Sequence, residues 1–240
     1  MTAAYPGQLW QQAISFLGFS GRQPTPGLVL ACGLLALFAV ASRRLWPVTR
    51  TVVTIAHEGG HALMALLTGR RLDSVRVLRS SAGVTVSAGS RSGPGIVLTT
   101  AAGYTAPPLL GLGAAALLAT GHLVSMLMIS LAALAGLAIA IRNGFGMVAV
   151  LVTGAAIGFV LWRGSPLAEA AAGYALTWFL LLGGVRPVLE LQRSRRRRPG
   201  RTTDADQLAA LTGLPGGLWV GTFGLVALGA LAAGALWLVP

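Results

Sequence analysis

Apolar residues run along this chain in long blocks separated by short arginine-bearing segments, not in the period-2 or period-3.6 stripes of a soluble domain. Blocks of roughly 18 or more apolar residues read as membrane spans. Seven are legible: Gly27–Ala41, which is short, Thr51–Gly69, Gly95–Thr120, His122–Ile141, Gly144–Trp162, Pro166–Val185 and Gly216–Val239. Between the second and third, residues 72–91 (LDSVRVLRSSAGVTVSAGSR) alternate in part and carry β-branched residues around SSAG, the pattern of a short hairpin. The expectation is an all-α polytopic membrane protein with about seven transmembrane helices and a short cytoplasmic β-hairpin after the second. Residues 1–240 then form a single integral-membrane domain. It divides into an N-terminal segment (1–26), spans one and two (27–69), the hairpin (70–94), spans three to six (95–185), a basic cytoplasmic loop (186–203) and a final segment with the last span (204–240).

Composition agrees with this division. Hydrophobic residues make up 55% of the chain and charged residues 10%, against about 25% charged in a soluble domain. The net charge of +12 does not point to nucleic acid, because the arginines lie between the spans. All 18 basic residues are arginine, which with the abundance of Ala, Gly and Leu suggests a GC-rich bacterial genome and hence a multi-pass protein of the bacterial inner membrane. A cytoplasmic N-terminus leaves 14 arginines inside and 4 outside, the sense that the retention of positive charge favours. Residues 193–201, RSRRRRPGR, read as a topology signal in contact with anionic lipid. The single cysteine, Cys32, falls in a span and supports neither an intramolecular disulfide nor a cysteine-rich zinc site. The first 26 residues lack the basic start and unbroken apolar core of a signal peptide; Trp10 and Phe16 suit a short interfacial helix.

The second span contains HEGGH, residues 57–61. Residues four apart share one face of a helix, so His57 and His61 can chelate one ion. Glu58 lies about 100° round the helix from His57, near the ion without having to bind it. That is the zincin arrangement, with two His ligands and a Glu as general base toward a water at the metal. Against it stands a pair of packed histidines with a buried Glu, but an ionisable group inside a membrane is costly and by default functional. Gly59 and Gly60 each cost a helix about 1 kcal/mol relative to Ala. They leave room for either a neighbouring helix or a substrate backbone.

HEGGHALMALLTGRRL in a membrane helix, followed by a short hairpin, resembles the site-2 protease family of intramembrane zinc metallopeptidases, in its compact bacterial branch without PDZ or CBS domains. The resemblance implies that His57 and His61 bind one zinc ion, that Glu58 is the general base, and that the hairpin helps present an extended substrate strand. It implies a membrane-protein substrate met within the lipid bilayer. The better-known members complete the zinc site with an Asp-Gly pair, which is absent here. The compact branch has a Ser/Thr-Asp-Ala segment before its last span, and TTDADQL matches it at Asp204. Asp206 is the competing carboxylate. A helix N-cap is the other reading of Asp204. To reach the histidines Asp204 has to enter the membrane, which a short re-entrant helix over residues 205–214, broken at Pro215, would allow.

Three further features remain, two of them open to two readings. Asn143 either orients a substrate carbonyl or makes a turn beside Gly144, His122 reads as an interfacial histidine, and the kink at Pro107-Pro108 in the third span either widens access to the zinc site or serves packing. The leading function is an intramembrane zinc endopeptidase. The alternative is a zinc-binding but inactive membrane scaffold or regulator of the same fold, against which the intact Glu58 argues. A small-solute transporter ranks below both, since the spans hold too few acids for an ion relay.

Overall fold

The computed structural model describes residues 24–78, 83–197 and 203–239. The expected interfacial helix around Trp10 and Phe16, and the SSAG turn apart from Gly83, lie outside the described residues. Helix α1 (Pro26–Ala41) starts on Thr25, whose side chain accepts from Leu28 N, with a proline in the first turn. Helix α2 (Trp46–Leu67) follows after four residues and carries the motif. It ends at Thr68 and Gly69, whose φ of 72° suits glycine alone without strain. Then come β1 (Arg71–Val77), β2 (Gly83–Ala88), α3 (Pro94–Ala119), α4 (Leu123–Ala140), α5 (Gly144–Arg163), α6 (Pro166–Arg197), α7 (Asp204–Thr212) and α8 (Gly216–Leu238).

Two expected boundaries are corrected. Among the described residues five helices, α3, α4, α5, α6 and α8, are long and apolar enough to cross a membrane, so seven separate spans do not emerge. Helices α1 and α2 meet the criterion only together, as a pair bent by 103°. Helix α1 has 16 residues, about 24 Å at 1.5 Å per residue, short of a hydrocarbon core of about 30 Å. Helix α2 is long enough, but its polar motif dilutes its hydropathy. The second correction concerns residues 186–203, expected as a loop. Helix α6 runs on through Arg197 with Pro187 inside it: hydropathy ends at Arg186, but the arginine-, leucine- and glutamate-rich stretch beyond Pro187 is made of good helix formers.

Helix α3 is the centre of the bundle, packing against α2, α6 and α8. Small residues let the backbones approach. A methyl on Gly60 of α2 would strike Ala106 and lie 2.8 Å from the Ala102 carbonyl oxygen of α3, and one on Gly184 of α6 would lie 2.8 Å from Pro108. The two prolines inside α3 bring no N–H, so the carbonyls of Gly103 and Tyr104 lose their intrahelical donors.

The hairpin is antiparallel, with Val75 opposite Thr85 and a bulge between Leu72 and Ser74. Val75 and Val77 are fully buried in a cluster with Ile55, Ala62, Leu137, Ile141 and Val150. The outer edge of β1 is also tied down. Val75 bridges Ile141, Arg142 N donates to the Val75 carbonyl at 2.9 Å, and the Asn143 side chain hydrogen-bonds both backbone groups of Val77, accepting from its N–H at 3.1 Å and donating to its carbonyl at 2.7 Å. Asn143 is therefore a side-chain continuation of the sheet. Its amide ties the start of α5 to the hairpin.

Candidate metal centre

His57 and His61 stand one turn apart on the buried face of α2. Their Nε2 atoms lie 3.1 Å from each other. Asp204, the first residue of α7, brings its Oδ2 to 3.2 Å from His57 Nε2 and 3.3 Å from His61 Nε2. His61 Nδ1 lies 2.7 Å from the Thr99 carbonyl oxygen of α3. A carbonyl can only accept, so the ring hydrogen sits on Nδ1 and Nε2 presents a lone pair to the centre. Among the described residues no N–H is directed at Asp204 Oδ2, which is sealed from solvent without a hydrogen-bond partner despite its nearness to both rings.

Converging lone pairs of this kind repel unless a cation lies among them. In a tetrahedral zinc site with arms of about 2.0–2.1 Å, neighbouring donors are about 3.3 Å apart. The triangle of 3.1, 3.2 and 3.3 Å fits that spacing, and the three residues could together hold a metal ion. With two imidazoles and one carboxylate the donor set suits zinc and leaves a fourth position open.

Glu58 is outside the triangle. Its Oε1 lies 3.9 Å from His57 Nε2, and its Oε2 accepts from Thr85 Oγ1 of β2 at 2.6 Å. The residue is 2% exposed. A side chain on Gly83 would collide with its carboxylate, so β2 lies directly against the acid.

Helix α3 forms the opposite wall. A methyl on Gly103 would run into His61 Nε2 and lie 2.7 Å from His57 Cε1. The Tyr104 ring meets His57 edge-on, with centroids 4.8 Å apart, and stacks on Phe223 of α8 at 5.1 Å. Thr85, Thr99, Gly103 and Tyr104 were not legible as site residues. The one signal was Pro107-Pro108, which mark the stretch of α3 where the backbone meets the centre.

The remaining candidates lie elsewhere. Asp206 is not in the triangle; its Oδ2 accepts from Thr203 N–H at 3.2 Å and Thr203 Oγ1 at 2.6 Å, and its Oδ1 accepts from Arg195. Burial would raise this carboxyl slightly, but the Thr203 and Arg195 hydrogen bonds hold it below its ordinary value. The N-cap of α7 is Thr203, not Asp204. Asp73 pairs with Arg71 at 3.0 Å on the surface. Glu190 accepts from Trp46 Nε1 at 2.9 Å and pairs with Arg186 and Arg50. His122 precedes α4, with its Nδ1 at 3.0 Å from Thr120 Oγ1.

Neither the curated proteins nor the solved structures contain a match to the chain. The family model described as Peptidase M50B-like matches residues 30–234, a stretch that takes in the motif helix, the hairpin, α3 and the Asp204 segment. The chain belongs to this family, that of the site-2 proteases.

Proposed function

We propose that the protein is an intramembrane zinc endopeptidase that cleaves a peptide bond in or near a transmembrane segment of another membrane protein, in the bacterial inner membrane. The observation that carries this reading is the triangle of His57 Nε2, His61 Nε2 and Asp204 Oδ2, closed around a buried oxygen with no hydrogen-bond donor, with Glu58 at its edge. His57, His61 and Asp204 would hold the ion. When bound, zinc supplies Lewis acidity, polarising a carbonyl and making water a stronger acid.

The chain's own groups do the rest. Thr85 occupies Glu58 Oε2, which leaves Oε1 toward the centre as the base. Glu58 takes the proton of the attacking water as its oxygen bonds to the scissile carbon, then delivers that proton to the amine nitrogen as the C–N bond breaks. The Thr99 carbonyl holds His61 in the tautomer that can ligate. The substrate segment must unwind locally, because a helix hides its carbonyls in its own hydrogen bonds.

The test uses purified protein in liposomes with a membrane-spanning reporter substrate. Wild type is expected to carry one zinc per chain and to cleave; Glu58→Gln is expected to keep the zinc and lose cleavage. Turnover by Glu58→Gln at the wild-type rate would overturn the assignment of the base. Zinc without cleavage in the wild type, across a panel of membrane substrates, would favour the inactive scaffold.

A further inference from the structure

The arginine-rich end of α6 meets the first turn of α7, the turn that carries Asp204. Arg195 Nε donates to Asp206 Oδ1 at 2.9 Å, and its Nη2 lies 2.8 Å from the same oxygen. The other carboxylate oxygen, Oδ2, takes both Thr203 donors, while Thr203 Oγ1 accepts from Asp206 N at 3.4 Å. Asp206 thus divides its two oxygens between the start of its own helix, in a reciprocal capping box, and α6. Gly216, the first residue of α8, leaves the space that the guanidinium occupies: a methyl there would strike Arg195 Nη2 and lie 3.0 Å from its Cζ.

Asp204 is in the same helical turn. Residues two apart point about 200° from each other round a helix, so the turn is gripped on one side by Arg195 and offers its carboxylate to the histidines on the other. The apolar contacts of α7, through fully buried Ala205 and Leu208, set how deep it sits. They are non-directional and leave rotation about the helix axis open, whereas hydrogen bonds are directional. Ligand atoms in a metal site have to fall within about 0.2 Å of their positions, so a small rotation of this turn matters.

We infer that Arg195 is a positioning residue for the metal centre, acting through Asp206 to orient the turn that carries Asp204. This rests on the zinc reading of the triangle. It takes one arginine of the basic stretch out of the role of lipid contact and makes the completeness of the centre depend on the junction of α6, α7 and α8.

The experiment measures zinc affinity by chelator competition on full-length protein in detergent for Asp204→Asn, Arg195→Met, Arg195→Lys and Gly216→Ala, with cleavage and the melting temperature of the zinc-free protein in parallel. Outer-shell partners of metal ligands are worth about 10–100-fold in affinity. Arg195→Met, which keeps the bulk and loses the donors, is expected to weaken zinc binding by about that factor, and Gly216→Ala to weaken it in the same direction. Arg195→Lys, which can still donate to Asp206 Oδ1, is expected to recover most of the loss, while all the zinc-free proteins melt alike. Wild-type zinc affinity in Arg195→Met together with loss in Asp204→Asn overturns the positioning role and leaves the metal centre standing. Wild-type affinity in Asp204→Asn overturns the centre itself. Equal weakening in Arg195→Met and Arg195→Lys, with a matching fall in melting temperature, makes Arg195 a structural tie only.

Discussion

Gly103→Ala puts the smallest possible side chain into the wall of the metal centre. In an exposed helix the change would help, by about 1 kcal/mol. Here the new methyl lies 2.7 Å from His57 Cε1 and collides with His61 Nε2. Carbon atoms sit comfortably at about 3.5–4.0 Å, so something has to move by roughly 1 Å. His61 cannot turn away, since its Nδ1 is held at 2.7 Å by Thr99 O, on the same helix as Gly103. A shift of about 1 Å is several times the tolerance of about 0.2 Å for metal ligands. Overpacking costs about 1–3 kcal/mol, partly offset by the helix-propensity gain, so the zinc-free protein should lose no more than about 2 kcal/mol and remain folded. The expected result is a protein with wild-type helical content, zinc affinity lowered by at least about tenfold, as for lost ligand support, and no measurable cleavage. Zinc content by elemental analysis, chelator competition and circular dichroism together read all three. Full zinc occupancy at wild-type affinity in Gly103→Ala would refute the close approach of α3 to the two imidazoles.

Four other outcomes are expected. Replacing His57 or His61 by Ala should each lower the zinc-to-protein ratio well below one, and full occupancy in both would leave α2 as a packing element. Thr85→Val removes the one donor to Glu58 Oε2 found among the described residues; an orphaned buried acceptor costs about 1–3 kcal/mol, so kcat should fall about tenfold or more with zinc retained and KM little changed, and Thr85→Ser should restore it. Asn143→Ala strands both peptide groups of Val77 and should lower stability by about 1–3 kcal/mol, with faster hydrogen exchange along β1 as the local readout. Free zinc at about 100 times its dissociation constant stabilises the bound form by about 2.7 kcal/mol, so chelation should lower the melting temperature by several degrees.

What could be read from the sequence follows from the range of each interaction. The His57–His61 pair was legible because four residues of helix place both on one face. Asp204 was reached by resemblance to Ser/Thr-Asp-Ala segments, since no local rule links α7 to α2; depth in the membrane argued against it, and the answer to that objection is a short helix of nine residues, Asp204–Thr212, capped by Thr203 and by Gly213 in the left-handed conformation. Asn143 looked like a turn beside Gly144 because its partner, Val77, lies far off in sequence. Thr85, Thr99 and Gly103 touch the centre only through the packing of β2 and α3 on α2, which no window along the chain contains. The boundary at Val185 misled because hydropathy reports what surrounds a helix, not whether the backbone continues; Arg186 caps the end of α1 by donating to the Val40 carbonyl from within α6.

The distribution of the donors along the chain has a consequence for the birth of the protein. His57 and His61 are made early, and Asp204 only after α3, α4, α5 and α6 have been made. Chains grow at about 5–20 residues per second, so on the order of ten seconds separates the synthesis of the second histidine from that of the carboxylate. Throughout that interval the nascent protein holds Glu58 and two imidazoles but lacks the residue proposed to complete the centre. On the proposed function, a protease threaded into the membrane among other unfolded, newly inserted segments stays harmless until its last helices arrive, and a prematurely terminated chain never becomes active.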